Sequence, residues 1–79
     1  MTDTTPPELF HSIAQAESGV VRRFIVDHDL AERIRFRNIT YPEVQADFTA
    51  RGGTTTPALW DGAQLIQGAE AVLAALRAL

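Results

Sequence analysis

No cysteine occurs among the 79 residues. That excludes disulfides, thiolate metal sites and any cysteine nucleophile. Histidine is nearly as scarce, and the two present, His11 and His28, fall on different predicted elements and make no metal motif. No apolar run approaches the roughly 18 residues that a spanning helix requires, and no signal-peptide hydrophobic segment is present. The sequence therefore predicts neither a membrane span nor secretion, and a cytoplasmic setting is expected. The net charge of −3 argues against a general nucleic-acid binder, which needs a basic face.

What remains fits a small globular chain: 46% hydrophobic and 22% charged residues, with room for one domain. Residues 1–7, MTDTTPP, are polar and proline-ended and read as a frayed tail, leaving residues 8–79 as the domain. Its most structured stretch is TTTPALWDGAQLIQG, Thr54 to Gly68. Asp61-Gly62 between two short apolar runs predicts a hairpin with a two-residue type I′ turn, because both turn positions need φ > 0. Pro57 is placed to open the first of these strands, where its missing N–H removes no ladder bond.

Upstream, Glu8 to Ile13 predicts a buried strand, with Leu9, His11 and Ile13 on one face and Phe10 on the other. Between Ala14 and Leu30 the spacing of Val20, Val21, Phe24, Ile25 and His28 predicts a helix with one broad apolar face. Two starts compete: Ser18 as N-cap, or a start near Gln15 that carries Gly19 inside the helix. Ile34 to Ile39 predicts a strand with Ile34 and Phe36 toward a core, and Arg35 and Arg37 on the opposite face suit an edge. Pro42, capped by Thr40 or Tyr41, opens a short helix marked by Val44 and Phe48 and reaching about Arg51, where Gly52-Gly53 stop it. Ala69 to Leu79 predicts a final helix burying Val72, Leu73, Leu76 and Leu79, with Glu70 in its first turn. The outer side of this helix is almost all alanine, so weak self-association or a protein partner is expected there.

The element order is β-α-β-α-β-β-α: a right-handed parallel β-α-β unit, then a hairpin, giving a four-stranded mixed sheet with helices on both faces. That order, the TTTP before the hairpin and the QGAEAVLAAL close resemble the thioredoxin-like fold, specifically glutaredoxins and the N-terminal domain of glutathione S-transferases. The resemblance spans roughly residues 8 to 79. It places the two positions of the family's C-x-x-C on Gln15 and Ser18, and it matches Thr55-Thr56-Pro57 to the family's T-V-P with a cis proline. Gly68-Ala69-Glu70 corresponds loosely to the family's G-G-x-D-D, and Ser12 replaces a lysine that meets the glutathione glycyl carboxylate.

Three readings follow from the resemblance. A redox-inactive glutaredoxin-like domain would bind glutathione or another thiol or peptide in the cis-Pro groove, through Gln15, Ser18, Thr56, Pro57, Ala69 and Glu70. A glutathione-transferase-type domain would activate the thiol with a serine, Ser12 or Ser18. A scaffold would keep the fold without a ligand. Each residue also has a plain structural role open to it. Ser18 suits a helix cap, Glu70 complements a helix dipole, His11 reads as a core histidine and Trp60 packs.

Overall fold

Glu8-Leu9-Phe10-His11 is the strand on which the rest is built (β1), and all four of its residues are buried. The computed structural model describes residues 6–79; the first five residues of the expected tail lie outside them. Pro7, expected in that tail, is tethered, because its carbonyl accepts from the Arg35 amide at 2.9 Å. The chain continues through α1 (Ala16–Asp27), a 3₁₀ turn (Ala31–Arg33), β2 (Arg35–Asn38), α2 (Pro42–Ala50), β3 (Ala58–Trp60), β4 (Leu65–Gln67) and α3 (Ala69–Arg77). The fold is thus a small α/β unit with a four-stranded mixed sheet and three helices, in the strand order β2-β1-β3-β4. β2 runs parallel to β1, while β3 is antiparallel to both β1 and β4.

Register divides the side chains between two cores. Leu9 lies opposite Leu59, and Leu59 opposite Ile66, so these three share the face covered by α1 and α3 through Val21, Ile25, Val72 and Leu76. Phe10 lies opposite Ala58, and Trp60 opposite Leu65, so they share the face covered by α2 through Val44 and Phe48. Each fully buried large apolar side chain of this kind stabilises by roughly 1.5–3 kcal/mol.

Five expectations change. β1 ends at His11, because the next amide, Ser12 N–H, leaves the sheet to meet Ser18 Oγ at 3.1 Å; Ile13 is consequently 61% exposed. The same contact anchors Ser18 inward, so α1 starts after Gln15, carries Gly19 internally and turns Val20 and His28 outward. Phe36 sits on the edge strand and is 37% exposed, lying edge-on to His11 with ring centroids 5.8 Å apart. The hairpin has a four-residue loop in place of the type I′ turn: Trp60 pairs with Leu65, and Asp61 Oδ1 accepts from the Ala63 and Gln64 amides at 2.8 Å each. An aspartate side chain that closes its own turn removes the need for φ > 0 at Asp61, and only Gly62 has it, at 102°. Finally, α3 stops at Arg77, and Leu79 is 49% exposed rather than buried.

Tyr41 and Pro42 do open α2 as N-cap and first residue, and Gly52 with φ of 87° follows its C-cap. The adjacent Gly53 is needed for a different reason. A Cβ there would fall onto the ring of Phe48, which is 3% exposed and packed against Phe10 with centroids 5.3 Å apart. The ring has nowhere to retreat. Gly53→Ala is expected to destabilise by about 1–3 kcal/mol, read as a lower urea midpoint at unchanged m-value.

Candidate functional site

The turn from β1 into α1, the loop entering β3 and the start of α3 all come to one end of the molecule. Ser12 holds the first of these together with main-chain groups: its carbonyl accepts from Gln15 N–H and from Arg22 Nη1, at 3.2 and 3.1 Å. The Ser12 hydroxyl makes no hydrogen bond among the described residues. Gln15, the N-cap of α1, does not cap the helix with its side chain. Instead its Oε1 accepts from Ser18 Oγ at 2.7 Å and from Thr56 Oγ1 at 2.9 Å. One amide thus ties α1 to the loop before β3.

Ser18 is fully buried, accepts from Ser12 N–H and donates to Gln15. Its proton and its lone pair are both engaged, so in this arrangement no thiol reaches it. The serine serves here as an internal strut. Pro57 is also fully buried, and the Thr56–Pro57 peptide bond is cis, as expected from the resemblance. Among the described residues, the Thr56 main-chain N–H and C=O make no hydrogen bond, although the residue is only 9% exposed. The Gln15 side-chain NH₂ is likewise unbonded among them.

Ala69 and Glu70 lie in an adjoining open cleft of about 660 Å³, whose walls also include Glu17, Gln67 and Ala74. Glu17 and Glu70 occupy the first turns of α1 and α3, where a carboxylate complements the helix dipole. Both face one cleft that no arginine lines. Gln15, Ser18, Thr56 and Pro57 are not part of its walls, so the residues predicted as one set form two neighbouring groups. Gln67 connects them. From β4 its Oε1 accepts from the Thr54 and Thr55 amides at 2.8 and 2.9 Å, and its Nε2 donates to the Gly52 carbonyl at 3.3 Å. This clamp sets the path of the loop into Thr56. It was missed in the sequence because a glutamine at a strand end carries no signal of its own.

Behind the site, His11 Nδ1 lies 3.1 Å from Arg22 Nη1. A guanidinium only donates, so Nδ1 is the accepting nitrogen and the imidazole is neutral. Burial, and then the Arg22 charge, hold the His11 pKa below its ordinary value of 6.5. The unfolded chain therefore takes up a proton on His11 at a higher pH than the folded chain does. Stability is full above about pH 6.5 and declines as pH falls through the window below it. The urea midpoint is expected to drop between pH 7.5 and pH 5.5, and His11→Gln should flatten that part of the profile.

No family model, curated protein or solved structure matches the chain. The functional reading therefore stands on the geometry of this end of the molecule. Its parts are the buried Thr56–Pro57 step with main-chain groups unbonded among the described residues, the likewise unbonded Gln15 amide at a helix start and a two-carboxylate cleft. No group of three or more histidine, aspartate or glutamate side chains suited to a metal occurs among the described residues, and no helix there is long and apolar enough to cross a membrane.

Proposed function

We propose that this chain is a cysteine-free, glutaredoxin-like domain of the thioredoxin-like fold that binds a small peptide or thiol-peptide ligand at the Thr56–Pro57 loop without redox chemistry. The observation that carries the reading is the junction of Thr56 with Gln15. The hydroxyl of Thr56 is consumed by Gln15 at 2.9 Å, while its main-chain N–H and C=O stay unpaired among the described residues at a buried position. Buried backbone groups are nearly always paired, and an extended peptide supplies both a donor and an acceptor. Gln15 and Ser18 stand where a redox pair would carry sulfur, so no disulfide exchange takes place at this site.

The charge of the cleft narrows the ligand. Glu17 and Glu70 suit an ammonium, such as that of a γ-glutamyl group, at the start of α3. Arg22, the cation held at this end, is already bonded to His11 and Ser12, so a ligand carboxylate finds no free base beside it. Glutathione therefore binds weakly, and through its γ-glutamyl end.

A scaffold reading has one specific observation in its favour: the Ser18 and Thr56 hydroxyls both donate to Gln15 Oε1 without a ligand. Titration of ¹⁵N-labelled protein with reduced glutathione separates the two. The ligand-binding reading predicts saturable shifts at Gln15, Thr56 and Glu70 in the millimolar range. Absence of shifts at these three residues up to tens of millimolar ligand supports the scaffold instead.

A further inference from the structure

At the opposite end of α1 and α3 lies a second cleft, of about 480 Å³. Its volume is within the usual range for small-molecule sites, roughly 300–1,000 Å³. Its apolar floor is Leu30 and Leu76, both less than a tenth exposed. An aromatic wall rises beside them: Phe24 and His28 stack with centroids 3.9 Å apart, and Arg77 lies over the Phe24 ring with its Cζ 5.8 Å from the centroid. Arg33 comes in from the 3₁₀ turn. All seven basic residues of the chain are arginines, and this cleft has two of them.

Neither guanidinium forms an ion pair among the described residues. Among the described residues the ion pairs of the chain involve Arg23, Arg37 and Arg51, and no aspartate or glutamate lines this cleft. The obvious alternative consumer is the pair of helix C-termini, which attract cations. Their carbonyls are largely satisfied already: Phe24, Val26 and Ile25 accept from the His28, Asp29 and Leu30 amides, and Ala75 and Leu76 accept from Ala78 and Leu79. Even at full strength, two helix ends contribute about half a negative charge each, against two full positive charges. Neither Arg33 nor Arg77 is paired with a carboxylate among the described residues, so both guanidiniums are available to an anion.

His28 adds a polar edge. Its Nδ1 lies 2.9 Å from the Phe24 carbonyl, which can only accept, so Nδ1 carries the hydrogen and Nε2 is left for another partner.

From this arrangement we infer that the cleft between the C-terminal ends of α1 and α3 is a binding site for a small anion borne on an aromatic body. Its oxyanion head sits between Arg33 and Arg77, and its ring lies against Leu30, Leu76 and the Phe24–His28 stack. The site is independent of the Thr56 loop and shares no residue with the cleft around Glu70.

Phenyl phosphate is the probe, with inorganic phosphate and phenol as its two halves, at low ionic strength because exposed guanidiniums are screened by salt. In ¹⁵N spectra of the full chain, phenyl phosphate is expected to shift His28, Leu30, Arg33 and Arg77 saturably. The same residues should respond to each half at least about tenfold more weakly, since the charged and apolar contacts are made together. Arg33 and Arg77 are both exposed, so Arg33→Gln with Arg77→Gln leaves the fold intact, and it should weaken phenyl phosphate binding by about tenfold or more. No shifts at these residues, shifts reproduced by phenol alone, or binding unchanged in the double variant would each overturn the assignment.

Discussion

Replacing Glu8 by glutamine is expected to destabilise the protein by about 3–5 kcal/mol, the usual result of removing one partner from a buried ion cluster. The Glu8 side chain is 8% exposed and meets both Arg37 and Arg51, the latter at 2.9 Å. Asp47 also meets both guanidiniums, at 3.1 Å each, closing a ring of two carboxylates and two guanidiniums over the α2 face of the sheet. Glutamine keeps an acceptor but removes the charge, leaving two partly buried guanidiniums to share Asp47. A chain of 79 residues has a total stability of about 4–12 kcal/mol at typical values per residue. The substitution consequently consumes a large fraction of it.

Arg23 and Asp27 provide the contrast. They also form an ion pair, at 3.6 Å, but their side chains are 84% and 58% exposed, so Asp27→Asn should cost no more than about 0.5 kcal/mol. Urea denaturation of both variants against the parent chain measures the difference. The Glu8 cluster also sets the acid limit. Burial works to raise the Glu8 carboxyl, but hydrogen bonds and charge from Arg51 and Arg37 outweigh it and hold its pKa below the ordinary 4.5. Its stabilisation is therefore complete above about pH 4.5 and is lost as pH falls through the lower, folded value.

Phe10→Ala is expected to cost about 3–5 kcal/mol, from lost burial and the cavity left behind. Phe10 is fully buried, the largest side chain of the described residues to be so, and lies in the α2-side core. Its ring does more than fill volume. Arg37 and Arg51 both lie over it with Cζ 5.4 Å from the centroid, and Phe48 packs beside it. The ring is thus the platform on which the Glu8 cluster rests, and the two substitutions should not add. In a double-mutant cycle, Glu8→Gln with Phe10→Ala is expected to cost less than the sum by 0.5 kcal/mol or more. Leu9→Ala, on the other face of the sheet, also belongs in the range of about 2–5 kcal/mol, but should add to Glu8→Gln with little coupling.

The elements most legible in the sequence were those set by period and punctuation. Val72 and Leu76 reveal the inner face of α3, Tyr41-Pro42 and Gly52-Gly53 bracket α2, and the alternation around Leu9 and Phe10 identifies a strand buried on both faces. Less legible were features set by partners distant in the chain. Arg37 read as a charge suited to an edge strand, yet the parallel register places it beside Phe10, two pairs along from Glu8, and its guanidinium meets both Glu8 and Asp47 of α2. Glu8 on one strand and Arg35 and Arg37 on the other were the available signal, and it has meaning only once the register is known. The Asp61 turn was misread because the dipeptide rule weighs φ alone, whereas the carboxylate closes the loop itself.

At the candidate site, types and positions were legible but their interplay was not. Gln15, Ser18 and Thr56 do meet: both hydroxyls donate to Gln15 Oε1, and the Thr56 main-chain groups and the Gln15 side-chain NH₂ stay unbonded among the described residues. The sequence left Ser18 open as a thiol-activating hydroxyl or a helix cap; Gln15 takes the cap position, and burial with two hydrogen bonds makes Ser18 a strut.

Amide hydrogen exchange at Thr56 tests the central claim most directly. In the free protein this N–H has no partner among the described residues and should exchange within minutes, unlike the neighbouring amides of β3. With reduced glutathione near saturation, a β-type bond from Thr56 to the ligand predicts slowing of Thr56 exchange by tenfold or more, with the β3 amides unchanged. Equal exchange rates at Thr56 with and without bound ligand would contradict the account.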